Sequence, residues 1–598
     1  MPKPEADALF EISWEVCNKV GGIYTVISSK APQMIKHYKN YFLIGPYFPR
    51  MAIREFYPEA PPDNIKRVID IIKDGGITVF YGRWLIKGRP VAILIDFTKL
   101  YEKKNEIKGQ LWEEYRIDSL YAGTDFDEPV VWSTAVGRLI EELAFVFKGN
   151  VVAHFHEWLS GAGILYLKKR KSRIRTVFTT HATVLGRSFA AGNIDLYYHE
   201  DNKCILELLD IEKEAYKFGV AAKHQLEKKC TQLCDVFTTV SEITGLEATH
   251  ILKREPDLLV PNGLDHSVLP NKEEIPIRHR LFKEKIREFV MPYFFPYYSF
   301  ELEDTLFFFL SGRYEFRNKG IDITIKALSI LNEKLKESES QKTIVVFFFV
   351  PNNIKTIKMS LLESKALFED IKDKVDDSLG DIRIKMIYSI ANQKMPSEST
   401  LFDEDFLLEL KKDALSFKKN GEPMLCTHDL VSDDSDAILN CFRENKLLNK
   451  KMDRVKVIHY PCYLSGSDGL LDLDYYSTLW GCHLGIFPSY YEPWGYTPLE
   501  CAGYGVPSIT TDLAGLGRFL IKCKRNEEGI FVIKREKVSE EEVVKELAER
   551  LFTFANLSKE ERINYKLRAI NLIILFSWEK LVENYIEAHN RAIAKGKS

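Results

Sequence analysis

CHLGIFPSYYEPWGYTPLECAGYGVP, residues 482–507, sets the reading of the whole chain. Leu484 to Phe487 is an apolar run of the length of a buried strand end, and Pro488 with Ser489 stops it. A loop then carries Tyr490, Tyr491, Glu492, Pro493, Trp494 and Gly495, and Thr497 followed by Pro498 reads as an N-cap with proline at the first helical position. A helix from Pro498 takes Glu500 and Cys501 into its first turn and ends by Gly503 and Gly505. Glu492 thus lies just before a helix start and Glu500 just inside it. Free N–H groups there make an anion site beside two carboxylates, which suits a ligand with a phosphate end and a hydroxyl-rich end, such as a nucleotide sugar. The same spacing also describes a buried loop with two helix-capping glutamates.

Outward from that stretch, the second half reads as a parallel sheet with helices. Thr305 to Leu310 and Ile344 to Val350 are apolar runs bounded by polar or turn residues, and Val455 to Tyr460, Ser508 to Thr511 and Gly529 to Ile533 continue the pattern. Beyond the first of these runs stand Arg313 and, six residues on, Lys319 with Gly320. Two cations at a strand end could clamp a diphosphate, or be ordinary solvated residues. Residues 353–420 are a charged tract with apolar residues at helical spacing around Ile357, Leu361 and Leu362, read as a helical insertion. His279 to Phe300 has a helical front and an aromatic back, fit for helix packing or a carbohydrate platform. Ser539 to Ala555 and Lys559 to Ala594 read as amphipathic helices, the last crossing back onto the first half.

In the first half, a strand over Leu9 to Trp14 leads through Lys19, Gly21 and Gly22 into a helix over Ile23 to Ile35. Strand, glycine pair and helix form a unit from which backbone can approach a phosphate or sugar, although such a pair is also a common tight turn. Strands follow at Tyr41 to Gly45, Ile77 to Tyr81 and Val91 to Asp96, a helix at Val130 to Phe147, then strands Val151 to Phe155 and Ile174 to Thr180. His154, His156, Glu157 and Trp158 emerge at one strand end, His181 and Arg187 at the next. The order His-Phe-His-Glu lacks zinc-ligand spacing, so a structural, hydrogen-bonded pair is expected and no metal. Lys203 to Glu247 reads as helices around strand Asp235 to Val240, capped by Ser241 and Glu242, and Asp257 to Val260 is a last strand. The turn Pro261-Asn262-Gly263 marks the boundary between domains 1–262 and 263–575, with 576–598 as the returning helix.

At 598 residues the chain is too long for one core. Its 83 basic residues balance 86 acidic ones, which argues against a nucleic-acid binder. The ten cysteines are scattered, even Cys230 and Cys234 lacking a second pair, as in a reducing compartment. No run of eighteen apolar residues occurs and the start has no signal-like apolar core, so a cytoplasmic protein free of the membrane is expected.

The segments SWEVCNKVGGIYTVI, HFHEWLSG, FTTHATVLGR, SGRYEFRNKG and FPSYYEPWGYTPLE, in that order, resemble the glycogen synthases of the fungal and animal type, glycosyltransferase family 3. The quoted stretch matches that family's Glu-x7-Glu motif. The resemblance implies an α/β fold of two Rossmann-like domains facing across a cleft (GT-B), with a helical insertion that joins subunits into a tetramer. It implies retaining transfer of glucose from UDP-glucose to the non-reducing 4-hydroxyl of an α-1,4-glucan, with no metal; the rival readings are a relative of the same fold with a small acceptor, which would not share YYEPWGY and the long insertion together, and an inactive glucan-binding scaffold. By the same resemblance Lys19, Arg187, Arg313 and Lys319 face the donor phosphates, with Gly22, Trp494 and the N–H groups of Gly495, Tyr496 and Thr497 on the donor side. His181 stands by the transferred sugar, Glu492 holds its hydroxyls, Glu500 the ribose hydroxyls, and Tyr475 packs on the uracil. A priming protein is a further implied partner. The family's arginine-rich effector helix is matched by KEERINYKLRAINLII, which keeps Arg562, Lys566 and Arg568 but has Asn571 and apolar residues where more cations are expected. The expectation is a weak glucose 6-phosphate site, no room for phosphorylated tails, and an enzyme substantially active without effector.

Overall fold

The computed structural model describes residues 2–194, 196–197, 204–338 and 340–596, so positions 1, 195, 198–203, 339 and 597–598 of the ranges above lie outside it. The first lobe is built on strands β1 (Ala6–Ile12), β2 (Tyr41–Pro46), β3 (Phe56–Pro58), β4 (Thr78–Trp84), β5 (Val91–Asp96), β6 (Asn150–His156), β7 (Arg175–Thr180), β8 (Val236–Thr239) and β9 (Leu258–Leu259). They form one sheet in the order β3-β4-β5-β2-β1-β6-β7-β8-β9, parallel except where β4 meets β3 and β5. The second lobe carries β10 (Thr305–Ser311), β11 (Thr343–Phe349), β14 (Val455–His459), β15 (Leu484–Ile486), β16 (Ser508–Thr511) and β17 (Ile530–Ile533), all parallel, in the order β14-β11-β10-β15-β16-β17. Runs such as TLFFFL and TIVVFFF are apolar throughout because helices cover both faces of the sheet, leaving neither face to water.

Strand order reverses between β1 and β6 in one sheet and between β10 and β15 in the other. At such a switch point the loops beyond the strand ends diverge to opposite faces and leave a crevice, the place where open α/β sheets bind ligands. The crevices hold the ends of β1 and β6 on one side, and Ser311 to Lys319 and Phe487 to Gly495 on the other.

The chain crosses between the lobes twice, and the crossings run side by side. The Leu264 N–H donates to Phe576 O at 2.9 Å, and Leu264 bridges Ser577 in parallel. Gly263 is demanded there, since a Cβ would come within 2.8 Å of Phe576 O and 2.9 Å of the Trp578 ring. Helix Trp578–Lys595 then lies on the first lobe, where Val582, Ile586 and Ile593 pack with Leu9, Val152 and Val177.

Two local expectations are corrected. The helix after the glutamate loop starts at Tyr496 with Gly495 as N-cap at φ 114°, not at Pro498 with Thr497 as cap. Pro498 fits inside the first turn because N–H groups there have no intrahelical acceptor. The insertion opens with a strand, β12 (Ile354–Ile357), because Ile354–Ile357 finds an antiparallel partner in β13 (His428–Leu430). Helix Met359–Ala391 follows, about 50 Å long at 1.5 Å per residue, packed along Glu404–Phe417 with only Leu361 and Ser364 buried. The C-terminal helical run breaks at Ile573–Phe576, where the chain crosses.

Candidate active site

On the second-lobe side, the two motif segments are clasped. The Tyr490 N–H donates to Asn318 O at 2.8 Å, and Lys319 Nζ lies 2.6 Å from Glu492 Oε2, both side chains still partly open to the cleft. Gly320 allows this approach: it sits at φ 66°, and a Cβ would meet Pro488 O at 2.3 Å. The glutamate loop is pinned from behind by Gly515 N–H to Glu492 O at 3.0 Å and Leu516 N–H to Trp494 O at 2.8 Å. Glu500 accepts from the Tyr475 and Tyr476 hydroxyls at 3.3 and 3.5 Å, and burial pushes its carboxyl up to about 7 despite them. Tyr476, which the sequence reading passed over, stacks on Tyr504 with centroids 4.8 Å apart.

On the first-lobe side, His181 on the loop after β7 and Arg187 in the helix Val184–Ala191 that follows stand on a segment whose start is held from beneath by three buried glutamates. Glu157 Oε1 accepts from the N–H groups of His181 (2.9 Å) and Ala182 (3.2 Å), Glu247 Oε1 from Thr183 (3.0 Å), and Glu227 Oε2 from Val184 (2.9 Å). Four successive backbone donors are thus satisfied by carboxylates. Burial pushes Glu157 and Glu227 upward and Glu247 up to about 7. Arg187 is exposed to the cleft; desolvation opposes its charge, and the facing groups of Glu157, Tyr491, Glu247 and Glu227 more than offset that. Glu157 has the left-handed φ of 64°, rare for a residue with a side chain, at the strand end that aims it under His181.

The lobes meet directly around this site. Tyr491 OH donates to Glu247 Oε1 at 3.2 Å, Ser241 Oγ to Pro493 O at 2.6 Å, and the Leu196 N–H to Tyr490 OH at 2.9 Å. The residue before Glu492 therefore touches a carboxylate that holds the segment of His181 and Arg187.

Other expected donor-side residues are placed apart. Arg313 is mostly exposed and pairs with Glu315 at 2.9 Å, and Lys19 is exposed with Nζ 5.6 Å from the Tyr24 ring centre. In the glycine loop, Glu15 Oε2 already takes the N–H groups of Gly21 (2.7 Å) and Tyr24 (2.9 Å), leaving Gly22 exposed at the helix start. The Trp494 ring is 4% exposed among Leu499, Phe519 and Phe576, and the Tyr496 hydroxyl is enclosed, so these two side chains turn away and only their backbone remains by the cleft. Thr497 is half-buried in the first helical turn.

His154, His156 and Glu11 gather donor atoms within 4.8 Å of one another, a grouping that local spacing could not reveal. Glu11 Oε1 there already takes Lys30 Nζ at 2.6 Å, so the chain supplies its own cation.

A second basic cluster lies behind the glutamate-loop helix. Burial, then Lys283 and Arg562, lowers Lys566 to about 7, and it has no ion-pair partner among the described residues. His279 and His483 stand edge to face at 5.1 Å, both held well below the usual imidazole range by burial. Sequence reasoning named Arg562 and Lys566 but missed Lys283, His279 and His483. Arg568 does not join them; it is exposed over the Tyr565 ring.

The profile of the family described as glycogen synthase matches residues 11–597. The chain is 38% identical to glycogen [starch] synthase of Neurospora crassa, over 98% of this chain and 84% of that one. It is 37% identical to the liver glycogen [starch] synthase of Homo sapiens (98% and 83%) and 38% to isoform 2 of Saccharomyces cerevisiae (98% and 86%). Among solved structures, the catalytic domain of starch synthase IV from Arabidopsis thaliana bound to ADP and acarbose aligns over 98% of this chain and 100% of that one, with 13% identity and TM-score 0.49. With two parallel-sheet lobes facing across a cleft and its motifs gathered there, the chain belongs to the glycogen synthase family and is a glycosyltransferase of the GT-B fold.

Proposed function

We propose that the cleft binds UDP-glucose and transfers its glucose, with retention, to the non-reducing 4-hydroxyl of an α-1,4-glucan such as glycogen. The observation that carries this is the Lys319–Glu492 pair at the carboxyl edge of the second sheet, facing the loop of His181 and the helix of Arg187. Arg187 and Lys319, with Arg313 and Lys19 able to swing in, stabilise charge on the departing diphosphate, helped by the N–H groups of Gly495, Tyr496 and Thr497. Glu492 orients the sugar, Glu500 the ribose, and Tyr475 the base. The bond from the anomeric carbon to phosphate oxygen breaks as that to the acceptor oxygen forms, and the acceptor proton passes to the leaving phosphate. Glu157, Glu227 and Glu247 are committed to backbone donors and Glu492 to Lys319, which supports front-face departure without a carboxylate nucleophile.

UDP release measured with and without glycogen, using UDP-, ADP- and GDP-glucose, tests the reading. Glucan-independent release of UDP, or no turnover with any donor, would sink it.

The long insertion helix leaves Leu379, Ile384, Ile387 and Tyr388 exposed. That supports self-association, a homotetramer being our proposal, which light scattering showing a monomer would refute. We place the enzyme in the cytoplasm, with a priming protein as a further partner. The cluster of Arg562, Lys566, Lys283 and the two histidines is proposed as a weak glucose 6-phosphate site.

A further inference from the structure

We propose that Glu11 and His156 are positioning residues that fix His181 in one tautomer, with its proton on Nε2, so that its Nδ1 lone pair meets a hydroxyl of the transferred sugar. The proposal rests on the reading of the cleft as the donor site and adds two residues that the reaction itself never touches.

The argument is a proton count along a buried chain. Lys30 Nζ lies 2.6 Å from Glu11 Oε1 and is only a donor, and Tyr41 OH donates to Glu11 Oε2 at 2.5 Å. Glu11 is therefore an acceptor. Burial would raise its carboxyl, but the Lys30 ammonium and His156 hold it well below the usual range. His156 Nε2, 2.8 Å from the same Oε1, must carry a proton. A second proton on Nδ1 would place another buried positive charge beside Lys30, and burial keeps His156 neutral. His156 Nδ1 is then a lone pair, and the group facing it is His181 Nε2 at 3.0 Å, which must donate. Burial, with His156, Lys30 and Arg187 nearby, keeps His181 neutral as well. Its remaining Nδ1 is an acceptor, bonded to none of the described residues and not sealed from solvent.

The ring planes are fixed as well. His154 stacks on His156 with centroids 4.4 Å apart, and is itself held by His589 of the returning helix at 3.1 Å and Thr179 Oγ1 at 2.6 Å. His589 is braced by Tyr38 OH at 2.7 Å. A free histidine would exchange tautomers and spend part of its time offering the sugar an N–H. This one is preorganised as an acceptor.

A double-mutant cycle tests it with the full-length enzyme, UDP-glucose and glycogen. His156→Phe keeps ring volume but removes both hydrogen bonds; kcat is expected to fall at least tenfold with little change in KM for glycogen. His156→Gln restores most of that loss, because its amide N–H can donate to Glu11 and its carbonyl accept from His181. In a His181→Ala background, His156→Phe is expected to change the rate less than twofold, since a positioning residue has nothing left to position. Effects that multiply in the double variant, or wild-type kcat in His156→Phe, would overturn the proposal. Should His156→Phe not fold, Lys30→Met with Glu11→Leu removes both buried charges together with the acceptor for His156 Nε2–H and takes its place in the same cycle, with the same two outcomes. Wild-type rate in His181→Ala alone would overturn the donor-site role of His181 itself, a result distinct from multiplicative effects, which reject only the relay.

Discussion

Lys319 Nζ and Glu492 Oε2 stand 2.6 Å apart, joining a cation from the end of β10 to a carboxylate from the loop after β15. Each can therefore reach one end of a single ligand placed between the lobes. Lys319→Ala is expected to lower turnover by a factor of order 10², since it removes a charge-assisted contact that strengthens as the phosphate leaves. Steady-state kcat checks this, and normal turnover rejects the role.

Glu492→Ala is expected to fold normally and scarcely transfer glucose. Its backbone, held by Gly515 and Ala514, carries the structural role, and its carboxylate, paired with Lys319 and partly open to the cleft, is placed to position the sugar. Retention of at least half the wild-type rate would reject the positioning role of the side chain.

Tyr491→Phe removes one hydrogen bond between the lobes, the 3.2 Å contact with Glu247. A net worth of about 1 kcal/mol corresponds to roughly a fivefold loss, expected in kcat/KM for donor. A loss confined to glycogen kinetics would show that the contact does not serve donor closure.

Glu500 has its carboxyl raised to about 7 by burial, so below that pH it holds a proton and above it is ionised. The ionised form is the better acceptor for ribose hydroxyls. KM for donor is therefore expected to rise as pH falls from 8 to 6, and Glu500→Gln to flatten that dependence. The same slope in both proteins would assign the titration elsewhere.

Activation by glucose 6-phosphate is expected to stay below about fivefold, or roughly 1 kcal/mol of coupling. Arg568 is turned away, and Lys566 offers a point charge rather than arginine's bidentate fork. Initial rates at low UDP-glucose, with and without millimolar effector, measure it.

Much of this was legible in sequence because apolar runs such as Val91–Asp96 and Thr305–Leu310 leave no choice but covered parallel strands, whose ends then carry the chemistry. Lys319 and Glu492 could be named for the same reason. Glu227 and Glu247 could not: each is an acid inside a helix, and their backbone partners lie 43 and 64 residues away. Which way Trp494 faces was not legible, because an aromatic in a motif loop reads alike whether it faces ligand or core. Thr497 has the composition of a cap, but Gly495 alone could take the left-handed turn that starts the helix.

The paired crossings at Leu264 and Phe576 have a mechanical meaning. Two covalent links that run in register and hydrogen-bond to each other behave as one axle, about which the lobes can swing while sliding or twisting apart is resisted. Whatever loosens or stiffens that axle is expected to change how often the cleft is shut. Selectivity is left to the residues at the rim of the swing.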